Sequence, residues 1–318
     1  MVKVNRRRLW LPLVWPLLAL GAGGALAEQV CKYDSIPATA PASRFTDNGD
    51  GTVTDQASGL QWKRCSEGQT WNGSTCVGTL NGYTWQKALQ HANTATYAGK
   101  DDWRLPNIKE LASIVEGACS NPAIDLAAFP GTTSNVFLSS SPQHETNGVG
   151  EVFFYYGHIG TTNKANPDVV RLVRNGQYLE RPLNGTGLDW WADDQSVHLT
   201  SEPADYPGQD ASYGRDVTQD NDADGHAGFS FTKLDSDGSV LPANAVNRSC
   251  VRDNVTGLVW EVKSNDGGLR DRSWTYSWYN PDVSTNRLMV ARLVRRIAAI
   301  IATTLLVATP PNSSKMST

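Results

Sequence analysis

Two clusters of carboxylates are the residues whose types and spacing first suggest chemistry. Asp47, Asn48, Asp50 and Asp55 lie close together, and Asp220, Asp222 and Asp224 alternate with Asn221 and Ala223 ahead of Gly225. Hard oxygen donors at this spacing are what calcium takes, so calcium is the one cofactor these loops could hold. Neither completes an EF-hand. The first has no closing glutamate, and Phe231 stands at the twelfth position of the second, where a bidentate glutamate belongs. A hairpin turn is the plain alternative for the first cluster, and a solvated acidic turn for the second.

Cysteine chemistry comes next. Cys65 and Cys76 bracket ten residues rich in Gly, Asn, Ser and Thr. A disulfide closing such a loop stabilises a fold by about 3 kcal/mol on chain-entropy grounds. The tighter C-x-x-C spacing of a redox pair is absent. Cys31, Cys119 and Cys250 make the total five, so one cysteine stays unpaired, and the sequence assigns no pairing among these three. Ser139, Ser140 and Ser141 lie outside any G-x-S-x-G elbow, and His144-Glu145 does not open an H-E-x-x-H motif because position 148 is glycine. No catalytic residue is assigned, and the chain is expected not to be an enzyme.

The elements that position these residues centre on Trp103, Arg104, Leu105 and Pro106, with a helix expected from Asn107 to Glu116. Asn107 and Glu110 form a capping box. Ile108, Leu111, Ile114 and Val115 recur at helical spacing and should be buried, leaving Lys109, Glu110, Ser113 and Glu116 wet. Arg104 sits where backbone groups need partners, and its planar fork of donors suits a structural strut. The rival view makes it a surface ligand for sulfate or carboxylate. A second helix, Thr84 to Ala92, should be capped by Thr84 and bury Trp85, Ala88, Leu89 and Ala92, with His91 in solvent. Residues 44–55 read as a hairpin, and strands are expected at 58–62, 136–142, 152–156 and 169–174. Helices grouped between strands imply an α+β domain with a mostly antiparallel sheet over 43–176.

The 318 residues, 40% hydrophobic and 19% charged, allow two ordinary domains. Residues 1–27 read as a signal peptide, with Lys3 and Arg6 to Arg8 ahead of an apolar core and Ala25-Leu26-Ala27 at the cleavage site, so the mature chain should begin at Glu28. A leader spans 28–42 and an Asp/Gly-rich connector 177–228. The phrase from Val53 to Trp62 is echoed from Val251 to Trp260, with Asp, Ser/Thr-Gly-Leu and Trp at equal offsets. A second copy therefore occupies 229–282 and is incomplete. Residues 283–318 carry no Asp or Glu, whereas 189–282 carry seventeen against seven Lys and Arg. That flip reads as a change of reading frame or as a basic amphipathic tail, with 288–308 touching a membrane surface. Otherwise only the signal peptide is expected to meet a membrane. With a net charge of −4, nucleic acid is not an expected partner.

Taken together, Phe45-x-Asp-Asn-Gly-Asp-Gly-Thr-Val-Thr-Asp55, Ser-Gly-Leu-x-Trp62, Trp85-x-x-Ala88, Trp103-Arg-Leu-Pro-Asn-x-x-Glu-Leu111, Ser139-Ser-Ser and Val170-Arg-Leu-Val-Arg174 resemble the Legionella collagen-like protein (Lcl) C-terminal domain family. That family looks related to C-type-lectin-like and sulfatase-modifying-factor folds. The resemblance implies a loop-rich, lectin-like core with two helices and a mixed, mostly antiparallel sheet. It also implies adhesion, because the namesake domain is associated with sulfated glycosaminoglycans. Residues 43–176 hold ten Lys and Arg against twelve Asp and Glu, so no excess positive charge draws a polyanion. Paired active-site cysteines of the sulfatase-modifying enzymes have no match here. The expectation is an exported bacterial binding or adhesion protein, periplasmic, outer-surface or secreted, whose partner is a glycan or another cell-surface ligand. The alternatives are an enzyme on a sulfatase-modifying-factor-like fold and a purely structural envelope protein.

Overall fold

A computed structural model describes residues 28–275, apart from 146, 177–182, 215–216, 218–221 and 269. The expected signal peptide, Asp220, the end of the expected second copy and the 283–318 tail lie outside the described residues. The chain divides into two units, one up to Glu261 and one from Val262. In the second, Asp271 accepts the N–H groups of Gly267 (2.6 Å) and Ser273 (2.8 Å), and the Trp274 indole N–H donates to Gly268 O at 2.8 Å.

The first unit is α+β and loop-rich, built of small antiparallel sheets and two helices. In chain order it contains β1 (Val30–Cys31), β2 (Phe45–Asp47), β3 (Thr52–Asp55), β4 (Gln61–Lys63), β5 (Gln69–Trp71), β6 (Cys76–Gly78), α1 (Trp85–Asn93) and α2 (Ile108–Ser113). There follow β7 (Cys119–Ser120), β8 (Val136–Pro142), β9 (Gly148–Phe153), β10 (His158–Asn163), β11 (Val173–Arg174), β12 (Phe231–Leu234), β13 (Cys250–Asp253) and β14 (Val259–Glu261). The sheets run β11-β4-β3-β2, β10-β9-β8, β12-β13-β14, β1-β7 and β5-β6.

Apolar side chains from these elements form two cores. One joins Val53, Leu60 and Trp62 of the first hairpin to Leu111 and Ile114 around α2 and to Phe129, Phe137, Val152 and Phe154. The other gathers Trp85, Ala88 and Leu89 of α1 with Trp103, Leu105, Leu138 and Val149. Trp190, Ala192 and Tyr206, from the stretch expected to be a connector, complete that second core. The leader is likewise engaged: β1 pairs with β7, and Ala40 is fully buried.

Several local expectations change. Helix α2 has the full Asn107–Glu110 capping box but stops at Ser113, with Ile114 at its C-cap. Glu116 is consequently outside the helix, fully buried, and accepts backbone N–H groups from Thr39 (3.1 Å), Ala40 (2.8 Å) and Ala118 (2.9 Å). Glu110 is buried as well, because Arg104 neutralises it. Thr84 stands at the N-cap of α1 but its side chain makes no cap bond. His91 is not left to solvent alone, since Nε2 lies 2.8 Å from Glu67 Oε2 and its ring stacks on Tyr83. The expected strand at 152–156 breaks at Phe153, and Val173–Arg174 is all of 169–174 that is named strand.

Candidate functional site

Antiparallel register places two rows of side chains back to back across β3, β4 and β11. Val53, Trp62 and Val173 stand opposite one another and are 1%, 0% and 0% exposed. Successive strand residues alternate faces, so the adjacent row of Thr54, Gln61 and Arg174 turns away from that core. With Asn175 and Gly176, this polar row lines a hollow of about 340 Å³.

Three of the lining groups, Arg174, Gln61 and Asn175, are held from behind. Arg174 donates through Nε and Nη2 to both oxygens of Asp102 (2.6 and 2.8 Å) and through Nη1 to Gln61 Oε1 (2.6 Å). That charge-assisted fork fixes the guanidinium plane. The bond from Arg174 holds the Asp102 carboxyl below the usual carboxylate range, and the same bond raises Arg174. Asn175 Oδ1 accepts from Arg104 Nη2 at 2.8 Å, which leaves the Asn175 N–H donors for a ligand. The lining has guanidinium, amide and hydroxyl groups and no carboxylate, imidazole or thiol. Such groups can donate to and accept from hydroxyl or carboxylate oxygens.

Arg104 is the brace behind this hollow. It is 5% exposed, forms a bidentate pair with Glu110 (2.7 Å twice) and donates to Leu105 O at 3.2 Å. Burial works most strongly against its charge, but Glu110, Asp210 and Tyr213 together outweigh it, so its pKa is raised. Trp103 is buried with its indole N–H on Tyr97 O (3.0 Å), Leu105 is fully buried, and Pro106 O accepts from Ser140 N at 2.8 Å. Ser139, Ser140 and Ser141 are all buried, and Ser139 Oγ donates to Gly150 O (2.7 Å).

The acidic residues fall in separate arrangements. Asp47 accepts Gly49 N (2.9 Å) and pairs with Arg64 (2.5 Å); the Gly49 bond first, and Arg64 after it, hold its carboxyl below the usual range. Asn48 donates to Thr52 Oγ1 (2.9 Å), and Asp50 accepts Thr52 N (3.0 Å). Asp55 is fully buried against Arg44, at 2.5 and 2.6 Å. Asp222 faces His226 (3.3 Å) and Asp224 accepts from Ser230 Oγ (2.5 Å). Among the described residues, no three of His, Cys, Asp and Glu converge as a metal cluster. Cys65 is bonded to Cys76, and Cys31 to Cys119 across β1 and β7; Cys250 is free.

Sequence reasoning singled out neither Gln61 nor Arg174 nor Asn175 as a site. The signal was the alternation in Val170-Arg171-Leu172-Val173-Arg174 combined with the hairpin register. Arg171 shows how ambiguous that run is. It is fully buried between Phe129 (4.8 Å) and Phe137 (5.9 Å), donates to Lys63 O (3.0 Å) and Thr132 Oγ1 (2.6 Å), and burial lowers it to about 9.

With this geometry in place, residues 51–174 match the model of the Lcl C-terminal domain. No curated protein and no solved structure matches the chain.

Proposed function

We propose, from the Lcl C-terminal domain carried by residues 51–174, that the chain is an exported, non-enzymatic binding protein with a C-type-lectin-like first domain. Its ligand is a glycan held in the hollow of Thr54, Gln61, Arg174, Asn175 and Gly176. The carrying observation is the polar row Thr54–Gln61–Arg174, with Arg174 oriented by Asp102 and the adjoining Asn175 by Arg104, turned outward from the buried Val53–Trp62–Val173 row. Donors and acceptors already fixed by neighbouring groups bind hydroxyl-rich ligands at a reduced ordering cost. Two disulfides fit an oxidising, extracytoplasmic compartment.

The test is a glycan-array screen of the mature chain, repeated with Arg174→Gln. The reading expects a defined set of glycans bound by the native protein and weakened about tenfold, roughly 1.4 kcal/mol, in the variant. Failure to bind any glycan, or equal binding by both proteins, overturns it. An enzyme reading draws on Glu151 and Asp168, carboxyls that burial pushes above their ordinary range. It predicts a chemically altered glycan that Glu151→Gln leaves intact.

A further inference from the structure

His144 follows β8 in the turn toward β9, and His198 closes the 190–199 loop, which is pinned by Trp191 N to Leu199 O (3.1 Å) and Leu199 N to Trp191 O (2.9 Å). The two imidazoles meet edge to edge, with His144 Nδ1 3.1 Å from His198 Nε2. Both are exposed, and the ring of Trp190, itself 9% exposed, lies 4.3 Å from the His198 ring and 5.5 Å from the His144 ring. His198 has φ 58°, in the left-handed region, which histidine enters more readily than most side chains. Neither facing nitrogen has another partner among the described residues, and neither does the second nitrogen of either ring.

We propose that His144 Nδ1 and His198 Nε2 are a two-imidazole site for a divalent transition-metal ion, one that clips the 190–199 loop to the β8–β9 turn. Imidazole nitrogens bind such ions at about 2.1 Å, so a pair 3.1 Å apart subtends about 95° at the metal. That is close to the right angle between neighbouring ligands of a square-planar or octahedral ion. The order of divalent affinities puts Cu²⁺ ahead of Zn²⁺ at nitrogen sites. Among the described residues no third His, Cys, Asp or Glu joins the pair, so solvent fills the remaining positions. The proton now shared between the rings is not lost on binding. It moves to the second nitrogen of its own ring, which is free to take it, so both rings bind as neutral imidazoles.

The mature chain is titrated calorimetrically with Cu²⁺ and, separately, Zn²⁺, against His144→Gln and His198→Asn. Asparagine tolerates the left-handed backbone at 198, and glutamine keeps a hydrogen-bonding side chain at 144. Wild type is expected to bind one Cu²⁺, with two nitrogen ligands in its electron paramagnetic resonance spectrum and a raised melting temperature. Each variant should weaken binding about tenfold or more and show a correspondingly smaller rise in melting temperature with the ion. His91, His158 and His226 remain in both variants as an internal control. Undiminished binding in the variants places the ion at other groups and overturns the site, as does a wild-type protein that binds no Cu²⁺. If a variant unfolds, the wild-type nitrogen count still decides: a spectrum with fewer than two nitrogen ligands rejects the pair.

Discussion

Around Asp55 and around Asp253 the chain draws the same turn twice. Asp55 N bonds Leu60 O and Gly59 N bonds Asp55 O, both at 2.8 Å; Asp253 N to Leu258 O and Gly257 N to Asp253 O repeat them at 2.8 Å. The glycines adopt φ 74° and 73°. Phe45 pairs with Asp55 as Phe231 pairs with Asp253, and Val53 faces Trp62 as Val251 faces Trp260. Yet Leu60 and Trp62 are 8% and 0% exposed, whereas Leu258 and Trp260 are 54% and 58% exposed. A strand–turn–strand unit of this kind is therefore written locally, by one aspartate, one left-handed glycine and alternating residues. Burial of its tryptophan is not local. In the first copy it comes from Phe129, at 6.5 Å edge to face, from Leu111 and Ile114, and from β11 along the edge of β4. Strand β14 sits at the margin of its sheet with no such cover among the described residues.

The comparison breaks or stands most sharply on paired tryptophan substitutions. Trp62→Ala removes a fully buried aromatic and should cost about 3–5 kcal/mol. Trp260→Ala should cost less than about 0.5 kcal/mol, as exposed substitutions do. Urea unfolding of both variants reads the difference. Equal losses would mean that the second hairpin is as well covered as the first.

Arg104 sharpens the same contrast, because the second copy has no counterpart to it among the described residues. Arg104→Lys keeps the charge but gives up the bidentate bond to Glu110 and the reach to Asn175. A loss of about 2 kcal/mol is expected. A lysine variant with wild-type melting would show that Arg104 does not brace the first domain.

The legible parts of this molecule were those with short-range grammar. The capping box at Asn107 and Glu110, the 45–55 hairpin, the strand at 136–142 and the repeated turn all depend on residues within a few positions of each other. What stayed hidden depends on distant partners. Glu110 and Glu116 look like wet positions on a helix until Arg104 and the leader N–H groups are placed beside them. Trp190 and Tyr206 look like linker residues until α1 is seen beneath them, with Tyr206 5.7 Å from Trp85. The polar row was half visible: alternation marks Gln61 and Arg174 as outward residues, but only the register of β4 with β11 makes them neighbours.

The smallest expected effect concerns calcium at the turns of the two hairpins. In the first, Arg64 already supplies a cation to Asp47, 2.5 Å away, and Asp50 is engaged by both the N–H and the hydroxyl of Thr52, at 3.0 and 2.6 Å. In the second, Asp237 accepts Ser239 N at 2.8 Å, and Asp235 accepts Ser236 N at 2.7 Å. Carboxylates tied into their own turns have fewer oxygens to give a cation that takes six to eight of them. An ion bound only to the native state would raise the melting temperature by mass action. Differential scanning calorimetry in millimolar calcium and in excess chelator should therefore give superimposable curves. Should chelation lower the melting temperature, Arg64→Gln separates the loops. Removing that guanidinium strengthens calcium binding if the ion sits among Asp47, Asn48 and Asp50, and leaves it untouched if Asp235 and Asp237 of the second hairpin, or Asp220, Asp222 and Asp224 ahead of it, hold the ion.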